Sequence, residues 1–414
     1  MEEKISSYKK RIIKELYFGR LLSCSDLSDK VGKSLPLTAK MLNVLIEEGL
    51  VIDRGYAAST GGRKPVMYSL KPDIGYVVAV AMDQLITKIV LVDLDNKYVT
   101  DIAKFDLQLA NNPNALSQLA EKIDSFINGL KVDKKKIIGV GIGMPGFVDA
   151  IKGINYTFLK TNGTSINQFI SDKIKLPVFI DNDSSLIALA ELRFGAAYNK
   201  KNAMVVNASW GVGLGIVVNG ELFRGHNGFA GEFSHIPLFL NNKLCSCGKS
   251  GCLETESSLL VVIEKAKKAI EEGKPSLLKG LLDDPVEQTC EAVIEAAGKG
   301  DKLAVELLSE AGYNIGRGVA ILIHILNPEI VVLSGRGSSA GKIWQAPIQQ
   351  ALNEHCIPRL CANTEIKISA FGYHAELIGA AVLVMEHYEK GLITSFDKSD
   401  ITESSFNFTK AKAV

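Results

Sequence analysis

Between Gly231 and Glu254 the chain places one histidine and three cysteines at short intervals. The segment reads Gly231-Glu232-Phe233-Ser234-His235, continues through residues 236–244, and then reads Cys245-Ser246-Cys247-Gly248-Lys249-Ser250-Gly251-Cys252-Leu253-Glu254. Four soft donors so spaced are the ligand set of a closed tetrahedral zinc site. A loop that closes on one ion must turn tightly, and Gly248 and Gly251 supply that freedom. His235, Cys245, Cys247 and Cys252 are therefore expected to hold one structural zinc ion. No ligand position stays open, so the metal organises the loop and does no chemistry. Glu232 and Glu254 bracket the set, so the same ion would fix where two carboxylates point.

The other cysteines, Cys24, Cys290, Cys356 and Cys361, have no partner at such spacing and read as small apolar residues. Seven in all, three of them clustered, suit a reducing compartment better than a disulfide framework. No export signal is expected, because residues 1–20 mix charges of both signs. The most apolar run, residues 319–332, is broken by His324, Asn327 and Pro328. It reads as a buried helix followed by a buried strand, too short to cross a membrane. These features predict a cytoplasmic protein with no membrane partner.

At 414 residues the chain exceeds one hydrophobic core, so two or three domains are expected. The net charge of +1 hides an asymmetry. Residues 1–71 carry 13 Lys and Arg against 8 Asp and Glu, a net of +5, which leaves −4 for the rest. A basic head on a mildly acidic body suits a polyanionic partner. Helical spacing over 8–18 and 25–31 is followed by Ser34-Leu35-Pro36, which opens a third helix with proline in its first turn. That helix is predicted to bury Leu37, Met41, Leu42 and Leu45 and to end at Gly49. Strands at 50–52 and 66–68 flank the loop Ser59-Thr60-Gly61-Gly62-Arg63-Lys64-Pro65. Three helices and a hairpin form the winged helix-turn-helix pattern. Ser34, Thr38, Lys40 and Asn43 are then the candidates for contacts with operator DNA in the major groove, with Arg63 and Lys64 on the wing. Such heads act in pairs, so a homodimer or homotetramer is expected.

From Tyr76 onward, strands at 77–80, 89–94, 136–143, 177–180, 203–207, 213–218 and 330–333 alternate with helices, which predicts an α/β body of two lobes. A last apolar helix covers about 375–388, and residues 391–414 read as a loosely held polar tail.

Five motifs in order carry a resemblance: Gly61-Gly62-Arg63-Lys64-Pro65, Gly143-Met144-Pro145-Gly146, Asp181-Asn182-Asp183, Ala230-Gly231-Glu232-Phe233-Ser234-His235, and the cysteine cluster ending Gly251-Cys252-Leu253-Glu254. Through them, over residues 8–390, the chain resembles the ROK family (repressors, open reading frames and kinases), and within it the sugar-responsive repressors. The resemblance implies an actin-like, hexokinase-like body around a sugar cleft. Its parts would be a head at 1–71, a small lobe at 72–190 completed by the helix at about 373–390, and a large lobe at 191–372 with the zinc site. It also implies that Gly146, Asn182, Asp183, Glu232, His235 and Glu254 meet a sugar or sugar phosphate, with His235 serving metal and sugar through its two ring nitrogens. Asp183, just before Ser184-Ser185-Leu186, reads equally as a helix N-cap. Ser234 stands where the family usually has glycine, which would add a hydroxyl to the cleft, and Thr161 where an aromatic is common.

A family kinase would use Asp183 as its general base and would need two phosphate turns. The first, Asp-x-Gly-Gly-Thr, is matched to residues 81–85, placing Ala81 on the aspartate, Asp83 and Gln84 on the glycines and Leu85 on the threonine. The second, Gly-Thr-Gly, reads Ser209-Trp210-Gly211. Both turns are damaged. The expected function is a sugar-responsive transcriptional regulator without ATP chemistry. The alternatives are an active sugar kinase carrying a DNA-binding head, and a repressor answering to a protein partner.

Overall fold

The computed structural model describes residues 2–57, 64–161, 163–280 and 286–390. The wing residues from Ser59 to Arg63 and the tail at 391–414 lie outside them. At the N-terminus stand α1 (Glu2–Gly19), β1 (Leu22–Ser23), α2 (Cys24–Val31), α3 (Leu35–Glu47), β2 (Val51–Tyr56) and β3 (Val66–Leu70), with the strands in the order β1-β3-β2. Local chemistry sets these boundaries. A capping box opens α2: the Ser23 hydroxyl accepts from the Asp26 amide at 3.1 Å, and the Asp26 carboxylate accepts from the Ser23 amide at 2.9 Å. Pro36 sits in the first turn of α3.

The spacing predicts Leu37 inside and Thr38 outside; the structure reverses both. Leu37 is 41% exposed, whereas Thr38 is fully buried with Met41, Leu42 and Leu45. These four residues follow the i, i+3, i+4, i+7 stripe of a helix face. The Thr38 hydroxyl is accommodated by Tyr8 Oη at 2.7 Å and by the Ser34 carbonyl, which accepts from it at 3.0 Å. Thr38 is thus a core residue of the head, not a DNA contact.

The body contains two five-stranded sheets. The first uses β4 (Tyr76–Met82), β5 (Ile86–Asp93), β6 (Ala103–Asp106), β7 (Ile137–Met144) and, beyond the β8–β9 hairpin (Val148–Asp149, Ile154–Asn155), β10 (Val178–Asn182). The second uses β11 (Ala203–Ala208), β12 (Val212–Val218), β13 (Glu221–Phe223), β14 (Ile330–Ser334) and β15 (Glu365–Ile368). Their orders are β10-β7-β4-β5-β6 and β13-β12-β11-β14-β15. Read from the first strand of each, the two are the same arrangement: an antiparallel meander on one side and parallel strands on the other. The two lobes are therefore topological repeats.

In the small lobe, α4 (Ala115–Gly129) and α5 (Ile166–Ile174) cover one face of the sheet, and α6 (Asp183–Phe194) and a C-terminal helix, α13, cover the other. Alternation along β4 serves both: Val78, Val80 and Met82 face α4 and α5, while Val77, Ala79 and Ala81 face the opposite way. In the large lobe follow α7 (Glu254–Ser257), α8 (Leu259–Glu271), α9 (Val286–Gly298), α10 (Lys302–Leu326), α11 (Lys342–His355) and α12 (Pro358–Cys361). The last helix is α13 (Ala375–Glu386). No helix among the described residues is long and apolar enough to cross a membrane.

Helix α6 is enclosed on all sides. Leu186, Leu189 and Ala190 pack with α13, while Ile187, Ala188 and Leu192 pack with Ala203, Val205 and Val217 of the large lobe. Gly379 is required at the α6–α13 crossing, since a Cβ there would collide with the backbone of Leu186. The head is seated on the ends of this pair. Phe194, the last residue of α6, lies edge-on to Tyr17 at 5.5 Å, and the Arg20 guanidinium covers its ring at 4.6 Å. Lys14 donates to the Glu386 carbonyl at 3.2 Å. One buried cluster runs from Ile12 and Leu45 of the head through Ile74 into Ala79 and Leu383.

Candidate functional site

The ligand atoms of His235, Cys245, Cys247 and Cys252 all lie within 4.8 Å of one another. Cys247 Sγ and Cys252 Sγ are 3.7 Å apart, and Cys245 Sγ is 3.5 Å from His235 Nδ1. A tetrahedron with metal–sulfur bonds of about 2.3 Å and metal–nitrogen bonds of about 2.0 Å has edges of about 3.5–3.8 Å. The sulfurs are far beyond the roughly 2.05 Å of a disulfide, so the cluster fits a metal and not a cross-link. Burial, with the neighbouring Cys247 and Cys245, pushes the Cys252 thiol far up, and a divalent cation would reverse that cost. The loop turns where expected: Gly248 and Gly251 have φ of +83° and +76°, and a Cβ on Gly251 would strike the Phe239 carbonyl. The imidazole points both ways, with Nδ1 toward the sulfurs and Nε2 3.7 Å from the Glu232 carboxylate.

The predicted cleft residues converge beside this cluster. Asn182 ends β10, and its Oδ1 accepts from the Ser184 and Ser185 amides at 2.9 and 3.2 Å. The N-cap of α6 is therefore Asn182, not Asp183. Its Nδ2 donates to the Gly146 carbonyl at 3.2 Å, so Asn182 ties the Gly146 turn to the helix and keeps little capacity for a ligand. Asp183 Oδ1 accepts from the Ser184 amide at 2.7 Å, while Oδ2 lies 3.5 Å from Asn207 Nδ2 and stays available. Although the residue keeps some exposure to the cleft, its carboxyl is enclosed. Burial pushes it up to about 6, against the Ser184 hydrogen bonds and with Asp83 and Glu232 adding. Glu232 is also raised, by burial first, with His235 opposing and Glu254 adding. Glu254 reaches the cleft from α7: its Oε2 is 3.4 Å from the Val212 amide and would lie 2.7 Å from a Cβ on Gly211. Ser234 is buried.

Three groups that line the cleft were not singled out in the sequence. Asn207, on β11, is buried and donates to Ser184 Oγ at 3.0 Å, and its Oδ1 has no hydrogen-bond partner among the described residues. Lys88 on β5 is 4% exposed. Glu376 opens α13, and burial, then Asp183 and Asp83, push its carboxyl well above the usual range, with Lys88 opposing. Lone charges inside otherwise apolar runs were the available signal for the last two.

The two phosphate turns face each other. Asp83 begins the β4–β5 turn, where its Oδ1 accepts from the Leu85 and Ile86 amides at 2.8 and 2.7 Å and Met82 pairs with Thr87. This geometry corrects the match by two residues: Asp83 and Thr87 stand on the motif's aspartate and threonine, and Leu85 and Ile86 replace its glycines. The loss of close backbone approach stands, but the aspartate is kept. It is engaged by the opposite lobe: Asp83 Oδ2 accepts from Trp210 Nε1 at 2.9 Å and from the Arg336 guanidinium at 3.1 Å.

A model of the ROK family matches residues 86–387. The chain belongs to the ROK family. Among its ROK relatives, the xylose repressor of Bacillus spizizenii is 29% identical over 383 residues, covering 92% of this chain and 95% of that one. A glucokinase of Halalkalibacterium halodurans is 34% identical over 281 residues, covering 66% of this chain and 85% of that one. A solved ROK family transcriptional regulator, described as a homolog of the E. coli MLC protein, superposes with a TM-score of 0.74 at 25% identity. It covers 94% of this chain and 98% of its own. Besides its ROK body, the chain thus shares its head with the regulators. In that head Lys40 and Asn43 line the exposed side of α3, Ser34 is exposed at its N-cap, and Lys64 is exposed ahead of β3. Arg63 lies outside the described residues.

Proposed function

We propose that this protein is a sugar-responsive DNA-binding regulator, a repressor of carbohydrate genes. The observation that carries the reading is the near full-length match to a xylose repressor, head included, joined to phosphate turns closed by Trp210, Arg336 and two bulky side chains. Asp183 then accepts a hydrogen bond from a sugar hydroxyl and has no nucleotide to serve. Glu232 and Glu254 accept from further hydroxyls, and His235 Nε2 lies beside them. The effector is a free monosaccharide or its phosphate.

His235 Nδ1 and the thiolates of Cys245, Cys247 and Cys252 would hold a structural zinc ion, which would fix the bearing of Glu232 and Glu254. The thiolate set suits a reducing cytoplasm. Residues 1–71 act as a winged helix-turn-helix, with Ser34, Lys40 and Asn43 in the major groove and Arg63 and Lys64 on the wing. Residues 72–190 with 373–390, and 191–372, are the lobes that close on the sugar. A homodimer or homotetramer pairs the heads on two half-sites, and closure changes their spacing.

The test uses purified full-length protein and duplexes from the DNA upstream of its own gene. Fluorescence anisotropy is measured with and without D-xylose, D-glucose and N-acetylglucosamine and their phosphates. One sugar is expected to change duplex affinity, elemental analysis to find one zinc per chain, and a coupled assay with magnesium-ATP to show no sugar phosphorylation. Rapid phosphorylation with no duplex binding would establish the kinase instead.

A further inference from the structure

We infer that Asp83, Trp210 and Arg336 form a clasp that joins the two lobes across the former phosphate site and holds the cleft closed without nucleotide. Asp83 lies on the β4–β5 turn of the small lobe. Trp210 lies on the β11–β12 turn, the topological counterpart in the large lobe, and Arg336 follows β14. One carboxylate serves both sides. Its Oδ1 takes two amides of its own turn, and its Oδ2 takes the indole N–H and the guanidinium. The guanidinium also covers the indole ring at 4.7 Å, and the Arg336 amide lies 3.3 Å from the Ser209 hydroxyl.

Desolvation separates this cluster from an ordinary surface ion pair. Trp210 is 4% exposed, and the Arg336 and Asp83 side chains keep only 10% and 20% of their surface. A charge left unpaired in such a place is costly. The contacts exist only when the lobes are together, so they add free energy to the closed state alone. A kinase of this fold would gain closure from the phosphates of its nucleotide; here the same gap is bridged by side chains of the chain itself. Resting on the effector reading above, a sugar that prefers the closed cleft and the clasp must strengthen each other reciprocally.

The test reads the clasp first without ligand. The chain has two tryptophans, and Trp344 is buried in the large-lobe core, so the difference between wild type and Trp210→Phe isolates the Trp210 emission. In Asp83→Asn and Arg336→Met, acrylamide should quench Trp210 more strongly than in wild type. The double variant should be no worse than either single one, as for members of one unit. If either variant fails to fold, hydrogen exchange at the Leu85 and Ile86 amides in Trp210→Phe, which keeps an aromatic ring but loses the N–H along with part of the indole surface, decides instead. Unchanged quenching in folded variants, or unchanged exchange in Trp210→Phe, overturns the clasp. With D-xylose, D-glucose or N-acetylglucosamine, whichever binds wild type, the variants should bind about five- to tenfold more weakly; equal or tighter binding overturns the coupling. If none of the three binds wild type, the effector reading fails, and the ligand-free measurement still judges the clasp.

Discussion

Thr38 and Asn43 sit on one helix, and their neighbours assign them opposite duties. Thr38 satisfies Tyr8 Oη inside the head, so Thr38→Val leaves that phenol without its partner. The expected loss is about 1–2 kcal/mol of stability, read as a lower denaturation midpoint with unchanged base preference. Asn43, exposed on α3, should behave inversely. Asp183 supplies a prediction in pH. Its carboxyl sits at about 6 against an ordinary 3.8, so between those values the native state binds more protons than the unfolded one. Stability therefore falls as pH rises through that window and stays reduced above it. Asp183→Asn removes the penalty. Above pH 7 the variant should be more stable than wild type by on the order of 2 kcal/mol, a figure discounted for the open side of the cleft. Below the lower value the difference should vanish. Melting temperatures at a series of pH values check this, and sugar affinity should fall in the same variant.

The decisive element is α6. It begins at Asp183 in the cleft and ends at Phe194 under the head, a rod about 18 Å long. It is packed against α13 on one side and against the large-lobe strands on another, so a displacement at one end is expected to reach the other. Helix α13 runs beside it from Glu376 to Glu386, where Arg193 Nε donates to the Glu386 carboxylate at 2.7 Å. Phe194→Ala removes the seat of Tyr17 and Arg20 while touching neither the cleft nor α3. Sugar affinity and ligand-free duplex affinity should each stay near wild type. The effect of sugar on duplex binding should shrink from a coupling in the usual range of about 5–150-fold toward none. Parallel titrations with and without sugar measure it, and an undiminished response would show that α6 is not the route.

At the scale of the whole molecule, two lobes of identical topology meet through equivalent hairpin turns, and a basic head sits on the ends of α6 and α13. The charge separation predicts how that head meets DNA. Lys64→Ala should weaken duplex binding evenly across sequences. It should also reduce the slope of log affinity against log salt by about 0.9, the release of one counterion, with sugar affinity unchanged. Salt titrations by anisotropy read the slope. A change confined to one operator sequence would mean that Lys64 reads a base.

Much of this protein was legible along the chain wherever the information is local. Ligands from His235 to Cys252 lie in one loop, so spacing alone predicted a metal cluster. Capping residues, the proline of α3 and continuous apolar strands such as β7 marked their elements for the same reason. Even the burial of Thr38 was present in the helical period and was obscured by its polar hydroxyl. Tertiary structure alone decided the rest. Asp83 meets Trp210 across 127 positions and Arg336 across 253. The repeat of the two sheets leaves no short period in the residues. The division of labour between Asn182 and Asp183 depends on which of two adjacent side chains the helix amides reach first. Such pairings follow from chain closure, and no local pattern of hydrophobicity or turn chemistry encodes which distant side chain will complete a given hydrogen bond.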